Sequence, residues 1–368
     1  MIYFDAATTL KPNDEVVSRA TKILSSSWGN VSGSHSISRE AKSRLEECRE
    51  KVSETCDVKP ENIVFTSGAT DALNIVLQGY SRLNPQAKIY CSRTEHDAVY
   101  KTAEYLDAEF IDVDDQGKVL LQSLSHISIG DLVCVMAVNN ETGVLQDIET
   151  ISAQIHERGG LLLVDAVQSY YSFDAKDICS WADYIVFSGH KLGALQGVGV
   201  LVIKDRKSVS SLMFGGSQEW EIRPGTTPAY LCDAFANVFC EKYSKEVRNY
   251  QIEKVKKFRD SFESLLSKQV EGIVFNSSST QRSAHISSIK VNSIESQMLV
   301  AMLDENGICV SKGSACASGA STPSHVLTAM GMSADEALST IRVSFSTLNT
   351  EDEIKDAVNT FVNCIETL

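Results

Sequence analysis

The chain has 368 residues, of which 43% are apolar and 22% are charged, and its formal charge is −14 from 34 basic and 48 acidic side chains. This length exceeds what a single hydrophobic core usually serves, so we expect one large domain and a smaller one. The acidity argues against nucleic acid or an anionic membrane surface as the main partner. The longest apolar-rich segment, 192–203, is interrupted by a glutamine and glycines and is too short to span a bilayer.

The ten cysteines are scattered along the chain, and none forms a CxxC pair. This pattern is typical of a reduced protein, and it favours neither a disulfide framework nor a zinc site. The first residues lack the basic and apolar regions of a secretory signal. We therefore expect a cytoplasmic protein without a metal site.

Strand-like and helix-like segments alternate through the first two-thirds of the chain. In order, they are a strand over 62–66, a helix over 71–80, strands over 88–91 and 131–138, a helix over 148–158, and strands over 161–164 and 184–187. Such alternation is typical of an α/β fold, in which helices cover both faces of a mainly parallel sheet. Ligands of such sheets bind beyond the carboxyl ends of the strands.

The pattern changes after about residue 228. It predicts one long, highly charged helical stretch over 230–268, followed by strands over 286–291, 308–310 and 340–345 and helices over 296–305 and 351–365. These elements predict a compact α+β domain. We therefore expect a large α/β domain over 13–243 and a small domain formed by 1–12 and 244–368.

Residues 66–70, with the sequence TSGAT, join a predicted strand to a predicted helix. Small residues let backbone amides approach an anion, and a helix N-terminus adds positive charge, so this turn is a candidate phosphate cradle. An ordinary helix start capped by Ser67 or Thr70 is about equally favoured. No GxxxxGK[ST] sequence occurs, which argues against a nucleotide-binding P-loop.

An amine and a carboxylate each follow a predicted strand. Lys191 ends the sequence Ser-Gly-His-Lys of 188–191, and Asp165 ends the strand that begins at 161. A pyridoxal phosphate enzyme needs this pair, because the amine forms a Schiff base with the aldehyde and the carboxylate keeps the pyridine nitrogen protonated. Such chemistry would restrict the substrates to amino acids.

Two more polar residues follow predicted strands. Asn140, within 139–143, can hydrogen-bond a ring hydroxyl, although an asparagine at a strand end is often only a turn former. His96 can stack on a ring and move protons, although an isolated histidine is more often structural. The residues alone leave both alternatives open.

The segment 313–321 consists of small residues, so we expect a mobile loop. Cys316 within it should be exposed, and Lys312 nearby favours its thiolate. Most of the other cysteines are expected to be buried and inert. Arg342, on a predicted polar strand, can grip an α-carboxylate with two hydrogen bonds or form a surface ion pair.

Together these motifs resemble the class V aminotransferase family of fold-type I pyridoxal phosphate enzymes, and within it the cysteine desulfurases of the NifS/IscS kind. The resemblance runs from Tyr3 to the C-terminal helix, and the Gly-Ser-Ala-Cys sequence of 313–316 is similar to that of the long-loop desulfurases. The other segments that carry the resemblance are 94–96, 138–143, 146–148, 165–169, 223–226 and 323–327.

The resemblance implies a role for each candidate. Lys191, Cys316 and His96 would be catalytic, as the Schiff-base amine, the sulfur acceptor and a proton carrier that stacks on the ring. Arg342 and Asn30 would bind the substrate carboxylate. The cofactor, pyridoxal 5′-phosphate, would be held by Ala69, Thr70, His96, Asn140, Asp165, Gln168, Ser188, His190, Lys191 and Thr226, the last reaching over from a second subunit of a homodimer.

The implied reaction converts L-cysteine to L-alanine and leaves a persulfide on Cys316. A sulfur-acceptor protein would then take the sulfur for iron–sulfur clusters or for thiolation of cofactors or tRNA. Another class V reaction, such as transamination or selenocysteine lysis, is an alternative, as is a sulfur-relay protein without catalysis. Intact Lys191, Asp165 and His96 argue against the last.

The chain departs from the family pattern in five places, one of which is the absence of a glycine shortly after the strand at Phe345. Asp5 is followed directly by Ala6 without the usual asparagine, Val31 replaces a proline, Pro224 replaces a serine, and Lys312 replaces a small residue. None of these changes removes a catalytic group. They affect the pocket wall and the acceptor surface, which indicates a divergent member with its own partner.

Overall fold

The computed structural model describes residues 1–291, 294–313 and 322–368. Its strands are β1 (Ile2–Tyr3), β2 (Ile63–Thr66), β3 (Ile89–Ser92), β4 (Glu109–Ile111), β5 (Leu132–Met136), β6 (Leu161–Asp165), β7 (Tyr184–Ser188), β8 (Gly199–Ile203), β9 (Ile273–Phe275), β10 (Ile286–Val291), β11 (Ile308–Cys309) and β12 (Thr340–Ser344). Its α-helices are α1 (Asp14–Ser26), α2 (Ser36–Cys56), α3 (Ala69–Leu83), α4 (Asp97–Tyr105), α5 (Ile148–Glu157), α6 (Ala175–Trp181), α7 (Gly189–Leu192), α8 (Ala229–Tyr243), α9 (Lys245–Ser267), α10 (Ser296–Glu305), α11 (His325–Ala329), α12 (Ala334–Leu338) and α13 (Glu351–Thr367).

The largest sheet has seven strands in the order β2-β8-β7-β6-β5-β3-β4. The pairings among β7, β6, β5, β3 and β4 are parallel, whereas β8 runs antiparallel to both of its neighbours. Residues 193–198, which join α7 to β8, are too few for a crossover that would bring the chain back parallel. The prediction of an α/β fold with a mainly parallel sheet is confirmed.

Helices cover both faces of this sheet. Successive side chains of its strands therefore pack into different hydrophobic clusters. Along β6, Leu162 and Val164 pack into one hydrophobic cluster with residues of α5 and α8, and Leu163 packs into a second cluster with residues of α3 and α4. All three side chains are fully buried. Burial on both faces explains why the strands read as unbroken apolar runs in the sequence.

A smaller antiparallel sheet, β12-β10-β9, is formed by the C-terminal part of the chain. Phe262 of α9 contacts the rings of Phe345 and of Phe361 in α13 beneath it. The N-terminal segment joins these elements, since β1 pairs in parallel with β11 and Asp5 bridges to Ser344. This placement agrees with the proposed division into 13–243 and 1–12 plus 244–368, which stays a prediction.

The expectation of one continuous helical stretch over 230–268 is wrong, because α8 and α9 are separate helices. Ser244 between them has φ −62° and ψ 132°, which is extended backbone. Its hydroxyl donates to the carbonyl oxygen of Glu241 at 2.8 Å. A serine hydroxyl bonded to a nearby carbonyl competes with helix continuation, and the charge pattern alone does not reveal such a break.

No helix in the part of the chain that the structure describes is long and apolar enough to cross a membrane.

Candidate functional site

A cavity of about 440 Å³ lies where β2, β3, β5, β6 and β7 reach their carboxyl ends. Its wall also includes residues of the N-terminal segment and of β12. Ten of the predicted site residues line it: Ala69, Thr70, His96, Asn140, Asp165, Gln168, Ser188, His190, Lys191 and Arg342. The fold therefore brings together most of the side chains that were selected from scattered motifs.

Lys191 lies in α7, which follows β7 directly. Its Nζ donates hydrogen bonds to the carbonyl oxygens of Ala7 at 2.7 Å and Thr8 at 2.6 Å. Burial, assisted by the positive charge of Arg342, lowers the pKa of the amine to about 8, although nearby carboxylates oppose this. A fraction of such an amine is neutral near pH 7, and only the neutral form is a nucleophile or a base.

Asp165, the last residue of β6, is a buried carboxyl group at the same cavity. One of its oxygens accepts a hydrogen bond from the backbone N–H of Val167 at 2.9 Å. Burial raises the pKa of Asp165, and that hydrogen bond and the charges of His96 and Lys191 oppose the rise. A buried carboxylate gains most from a cationic hydrogen-bond donor, as a protonated ring nitrogen would be.

His96 occupies the N-cap position of α4, where its Nδ1 accepts a hydrogen bond from the backbone N–H of Ala98 at 3.1 Å. Its ring also lines the cavity, so the structural role is confirmed and the functional role stays a prediction that this position permits. Burial lowers its pKa, with Asp165 opposing. Because Nδ1 accepts, the neutral ring carries its proton on Nε2.

The turn 67–70 leads from β2 into the 15-residue helix α3. The alternative in which Ser67 or Thr70 caps this helix is wrong, because Gly68 is the N-cap and the helix start has no side-chain capping bond. Gly68 has φ +152°, and a Cβ atom at Gly199 would lie 2.8 Å from the Gly68 Cα. Two glycines thus permit a close approach that leaves the helix start open to an anion.

Arg342 is buried in the middle of β12, so it forms no surface ion pair. Its Nη2 donates to Asp5 at 2.9 Å and to the Thr8 hydroxyl at 2.6 Å, and its Nη1 donates to the carbonyl oxygen of Asn140 at 2.8 Å. Within the described residues, its buried Nε has no hydrogen-bond partner. The guanidinium is therefore fixed while its Nε donor is left for a ligand.

Asn140 has a second unpartnered atom at the cavity, since its buried Oδ1 accepts no hydrogen bond from any described residue. Its neighbour Asn139 is the turn former, accepting from the backbone N–H groups of Glu141 and Thr142, both at 2.9 Å. Asn139 thus forms the turn, and the contact of Asn140 with a ring hydroxyl stays a prediction.

Gln168 lines the cavity, but protein partners engage its side chain. Its amide nitrogen donates to the carbonyl oxygen of Ala7 at 2.8 Å, and its Oε1 lies 3.1 Å from Nε2 of His285. Burial lowers the pKa of His285 to about 3, so its ring is neutral. The neighbouring candidate His190 contacts the Thr9 hydroxyl at 3.2 Å, and burial lowers its pKa to about 4.

Three predicted site residues are not in the cavity wall as described. Asn30 is exposed, and its side chain accepts from the backbone N–H of Ser32 at 2.9 Å. Thr226 is also exposed and lies outside the cavity. Cys316 lies outside the described residues, so its expected exposure stays a prediction.

Glu141 lies beside Gly313 and Ser324, which flank in the sequence the segment that carries Cys316. A Cβ atom added at Gly313 would lie 3.3 Å from its Oε2, and that oxygen accepts a hydrogen bond from the hydroxyl of Ser324 at 2.7 Å. Burial raises the pKa of Glu141. Sequence reasoning missed this glutamate as a functional candidate, although it lies within the selected motif 139–143.

Sequence reasoning linked the N-terminal segment only to the pocket wall and selected none of its residues for the site. Ala7 and Thr8 supply the carbonyl oxygens that hold Lys191, and Asp5 pairs with Arg342. Their proximity depends on long-range pairing, for which no local pattern exists. Within the described residues, no group of three or more histidine, cysteine or acidic side chains could bind a metal ion.

The family model of class V aminotransferases matches residues 2–356. The cysteine desulfurase IscS of Edwardsiella ictaluri is 32% identical over 372 residues, which cover 97% of this chain and 91% of the relative. Among solved structures, a NifS-like protein from Rickettsia africae has a TM-score of 0.90 and 27% identity over the whole of both chains. SspA in complex with cysteine has a TM-score of 0.79 and 26% identity, covering 94% of this chain and 99% of that one.

These similarities extend over the whole chain and agree with the arrangement of Lys191, Asp165 and His96 around one cavity. The resemblance to the cysteine desulfurases of the NifS/IscS kind is thereby confirmed. The chain belongs to the class V aminotransferase family.

Proposed function

We propose that this protein is a pyridoxal 5′-phosphate-dependent cysteine desulfurase that converts L-cysteine to L-alanine and takes the sulfur onto Cys316. The observation that carries the proposal is the placement of Lys191, Asp165 and His96 around one cavity beside an open helix N-terminus. Enzymes of the class V family are pyridoxal phosphate-dependent. The complex of the related SspA with cysteine supports L-cysteine as the substrate.

The polar groups of the cavity fit this cofactor. The turn 67–70, together with Ser188 and His190, would hold the phosphate, because a helix N-terminus and nearby donors bind anions. The buried carboxyl group of Asp165 would pair with the ring nitrogen. The unpartnered Oδ1 of Asn140 would accept a hydrogen bond from the ring hydroxyl.

When bound, the cofactor supplies an aldehyde that condenses with amines and a ring that withdraws electrons from the adjacent carbon. The protein's own residues would manage the protons. Lys191, with a pKa of about 8, can accept the proton from the substrate Cα near neutral pH. His96, once it has taken up a proton to become imidazolium, can donate that proton to the product.

Arg342 would bind the substrate carboxylate. Its Nη atoms are held by Asp5, Thr8 and Asn140, while Nε is buried without a partner. A carboxylate oxygen satisfies such a donor with a charge-assisted hydrogen bond. This contact would orient the substrate with its Cα toward Lys191.

The sulfur transfer would use Cys316 as the nucleophile. Its thiolate attacks the sulfur atom of L-cysteine, so that an S–S bond forms while the C–S bond breaks. The electron pair of the broken bond stays on the carbon skeleton, which is protonated to alanine. The sum is L-cysteine plus enzyme thiol giving L-alanine plus enzyme persulfide, and no external oxidant or reductant is needed.

We further propose a homodimer in which Thr226, exposed on a single chain, contacts the cofactor phosphate of the other subunit. Phe214 is 97% exposed and Trp28 is 67% exposed, so both side chains are available to a partner surface. Equilibrium sedimentation of the purified chain should give the mass of two copies. A monomer with full activity would contradict this assembly.

The desulfurase proposal is tested by incubating the purified protein with L-cysteine, quantifying alanine, and examining the Cys316 peptide by mass spectrometry. The wild type should form alanine, and the peptide should gain one sulfur atom. Cys316→Ser should lose both signals, whereas Cys309→Ser, which alters a half-buried thiol in β11, should keep them. Alanine production at the wild-type rate in Cys316→Ser would instead indicate another class V lyase reaction.

A further inference from the structure

The strand that leads into the anion-binding turn is secured by an ion pair. β2 is an edge strand of the seven-stranded sheet and pairs with β8. On its other side, Nη1 of Arg49 donates to the carbonyl oxygen of Ile63 at 2.6 Å, and the N–H of Phe65 donates to Oε2 of Glu219 at 2.8 Å. Two side chains thus bond backbone groups of β2 that a neighbouring strand would otherwise bond.

Arg49 and Glu219 bind each other with two hydrogen bonds, both of 2.9 Å, and both side chains are buried. The guanidinium of Arg49 also lies over the rings of Phe65 and Trp220, at 5.2 Å and 5.4 Å from their centroids. A buried bidentate pair with satisfied surroundings is rigid, because each lost contact would leave an unpaired charge. Glu219 therefore has a fixed position relative to β2.

The same segment contacts the turn a second time, through Arg223. Its Nε donates to Oδ2 of Asp71 at 3.2 Å. That carboxylate oxygen also accepts from the backbone N–H and the hydroxyl of Ser67, at 2.8 Å and 3.0 Å. Arg223 is therefore connected through one acceptor atom to the first residue of the turn 67–70.

The backbone between these two contacts is strained. Glu219, Trp220 and Glu221 have φ angles of 46°, 60° and 65°, and residues other than glycine rarely adopt this region in succession. Such a conformation persists where the surroundings determine it. The contacts of Glu219, the first strained residue, and of Arg223, two residues after the last one, meet this condition.

We propose that residues 219–223 form a brace that sets the position of the anion-binding turn 67–70. Glu219 acts through β2 and Arg223 acts through Asp71, so both are positioning residues and neither is assigned contact with the reacting atoms. The identity of the anion, the phosphate of the cofactor, rests on the proposed function. Since Thr226 follows the brace by three residues, the same element would present Thr226 to the other subunit.

The brace is tested by the contribution of the phosphate to cofactor affinity. Full-length protein freed of cofactor is titrated with pyridoxal 5′-phosphate and with pyridoxal, and the dissociation constant of pyridoxal divided by that of pyridoxal 5′-phosphate is compared among variants. Glu219→Gln and Arg223→Gln should each lower this ratio about tenfold, as expected for loss of a charged hydrogen bond. Arg223→Lys, which keeps the charge, should retain part of it.

A matched control is Glu263→Gln. Glu263 forms another bidentate pair, with Arg282, at 2.9 Å and 3.0 Å, and it does not line the cavity. Its loss should lower the melting temperature without changing the ratio. An equal drop in the ratio in Glu263→Gln, or an unchanged ratio in both brace variants, would overturn the proposal. Arg223 is half-buried, so its variant stays informative even where Glu219→Gln folds poorly.

Asp71→Asn distinguishes an effect on the position of the turn 67–70 from the direct repulsion between the Asp71 carboxylate and the anion. Removing a negative charge beside the turn would strengthen phosphate binding if charge alone mattered, whereas a loosened brace would weaken it. In a double-mutant cycle, Asp71→Asn and Arg223→Gln should be less than additive, since they act through one contact.

Inorganic phosphate gives a readout that does not need the aldehyde. The wild type should gain thermal stability in phosphate buffer relative to chloride, and the two brace variants should lose this gain. A wild type that binds phosphate but neither aldehyde would contradict the proposed function and leave the brace supported. A wild type indifferent to phosphate in both assays would overturn the brace as well.

Discussion

The amine of Lys191 offers a direct test of the site electrostatics. With a pKa of about 8 in place of 10.5, about 9% of the amine is neutral at pH 7 instead of about 0.03%, an increase of roughly 300-fold. Competitive labelling of the cofactor-free chain with a small amine reagent, read by mass spectrometry across alkaline pH, should show a midpoint near 8 for Lys191. Nα-acetyl-lysine amide, whose side-chain amine is free, serves as the reference.

Two variants with opposite effects make this test specific. The charge of Arg342 lowers the pKa of Lys191, and the charge of Asp5 raises it. Arg342→Met should therefore move the labelling midpoint to higher pH, and Asp5→Asn should move it to lower pH. A midpoint near that of the reference amine in the wild type, or a common direction for both variants, would refute the assignment of burial and local charge as the causes.

Three further outcomes are expected. Arg49→Met should lower the free energy of unfolding by about 3–5 kcal/mol in urea denaturation, because Glu219 is left buried and unpaired; a loss below about 1 kcal/mol would contradict this. Burial lowers the pKa of His285 from 6.5 to about 3, so as the pH falls the unfolded chain binds a proton at this residue before the folded chain does. The free energy of unfolding should therefore fall by about 3 kcal/mol between about pH 6.5 and 4. His285→Gln should reduce this pH dependence, and an unchanged slope would exclude His285 as its source. Gly199→Ala should weaken cofactor binding at least about tenfold in equilibrium titration, since its Cβ would meet the Gly68 backbone at 2.8 Å; unchanged affinity would show that the turn can shift freely.

The elements that depend on neighbouring residues in the sequence could be predicted from it. The strands ending at Asp165 and Ser188, and the helix that follows the turn 67–70, were recognisable because apolar runs and small-residue turns are contiguous in the sequence. The structure also places Lys191, Asp165 and His96 at one cavity, as the order of motifs indicated. The roles of these residues stay predictions until the variants are measured.

Other features could not be predicted because their causes lie far apart in the chain. The antiparallel direction of β8 depends on a short connection and a neighbour reached more than a hundred residues earlier, β2. The bonds from Lys191 to Ala7 and Thr8 depend on pairing between the two ends of the chain. The break at Ser244 depends on one hydroxyl in a stretch whose charges otherwise favour a helix.

The bonds of Lys191 to Ala7 and Thr8 have a consequence for synthesis on the ribosome. Ile2 pairs with Ile308, so β1 must wait for a partner strand that is translated about 300 residues later. Contacts of such long sequence separation form late in folding. The nascent chain therefore carries an incomplete environment around Lys191 until β11 and β12 have been translated.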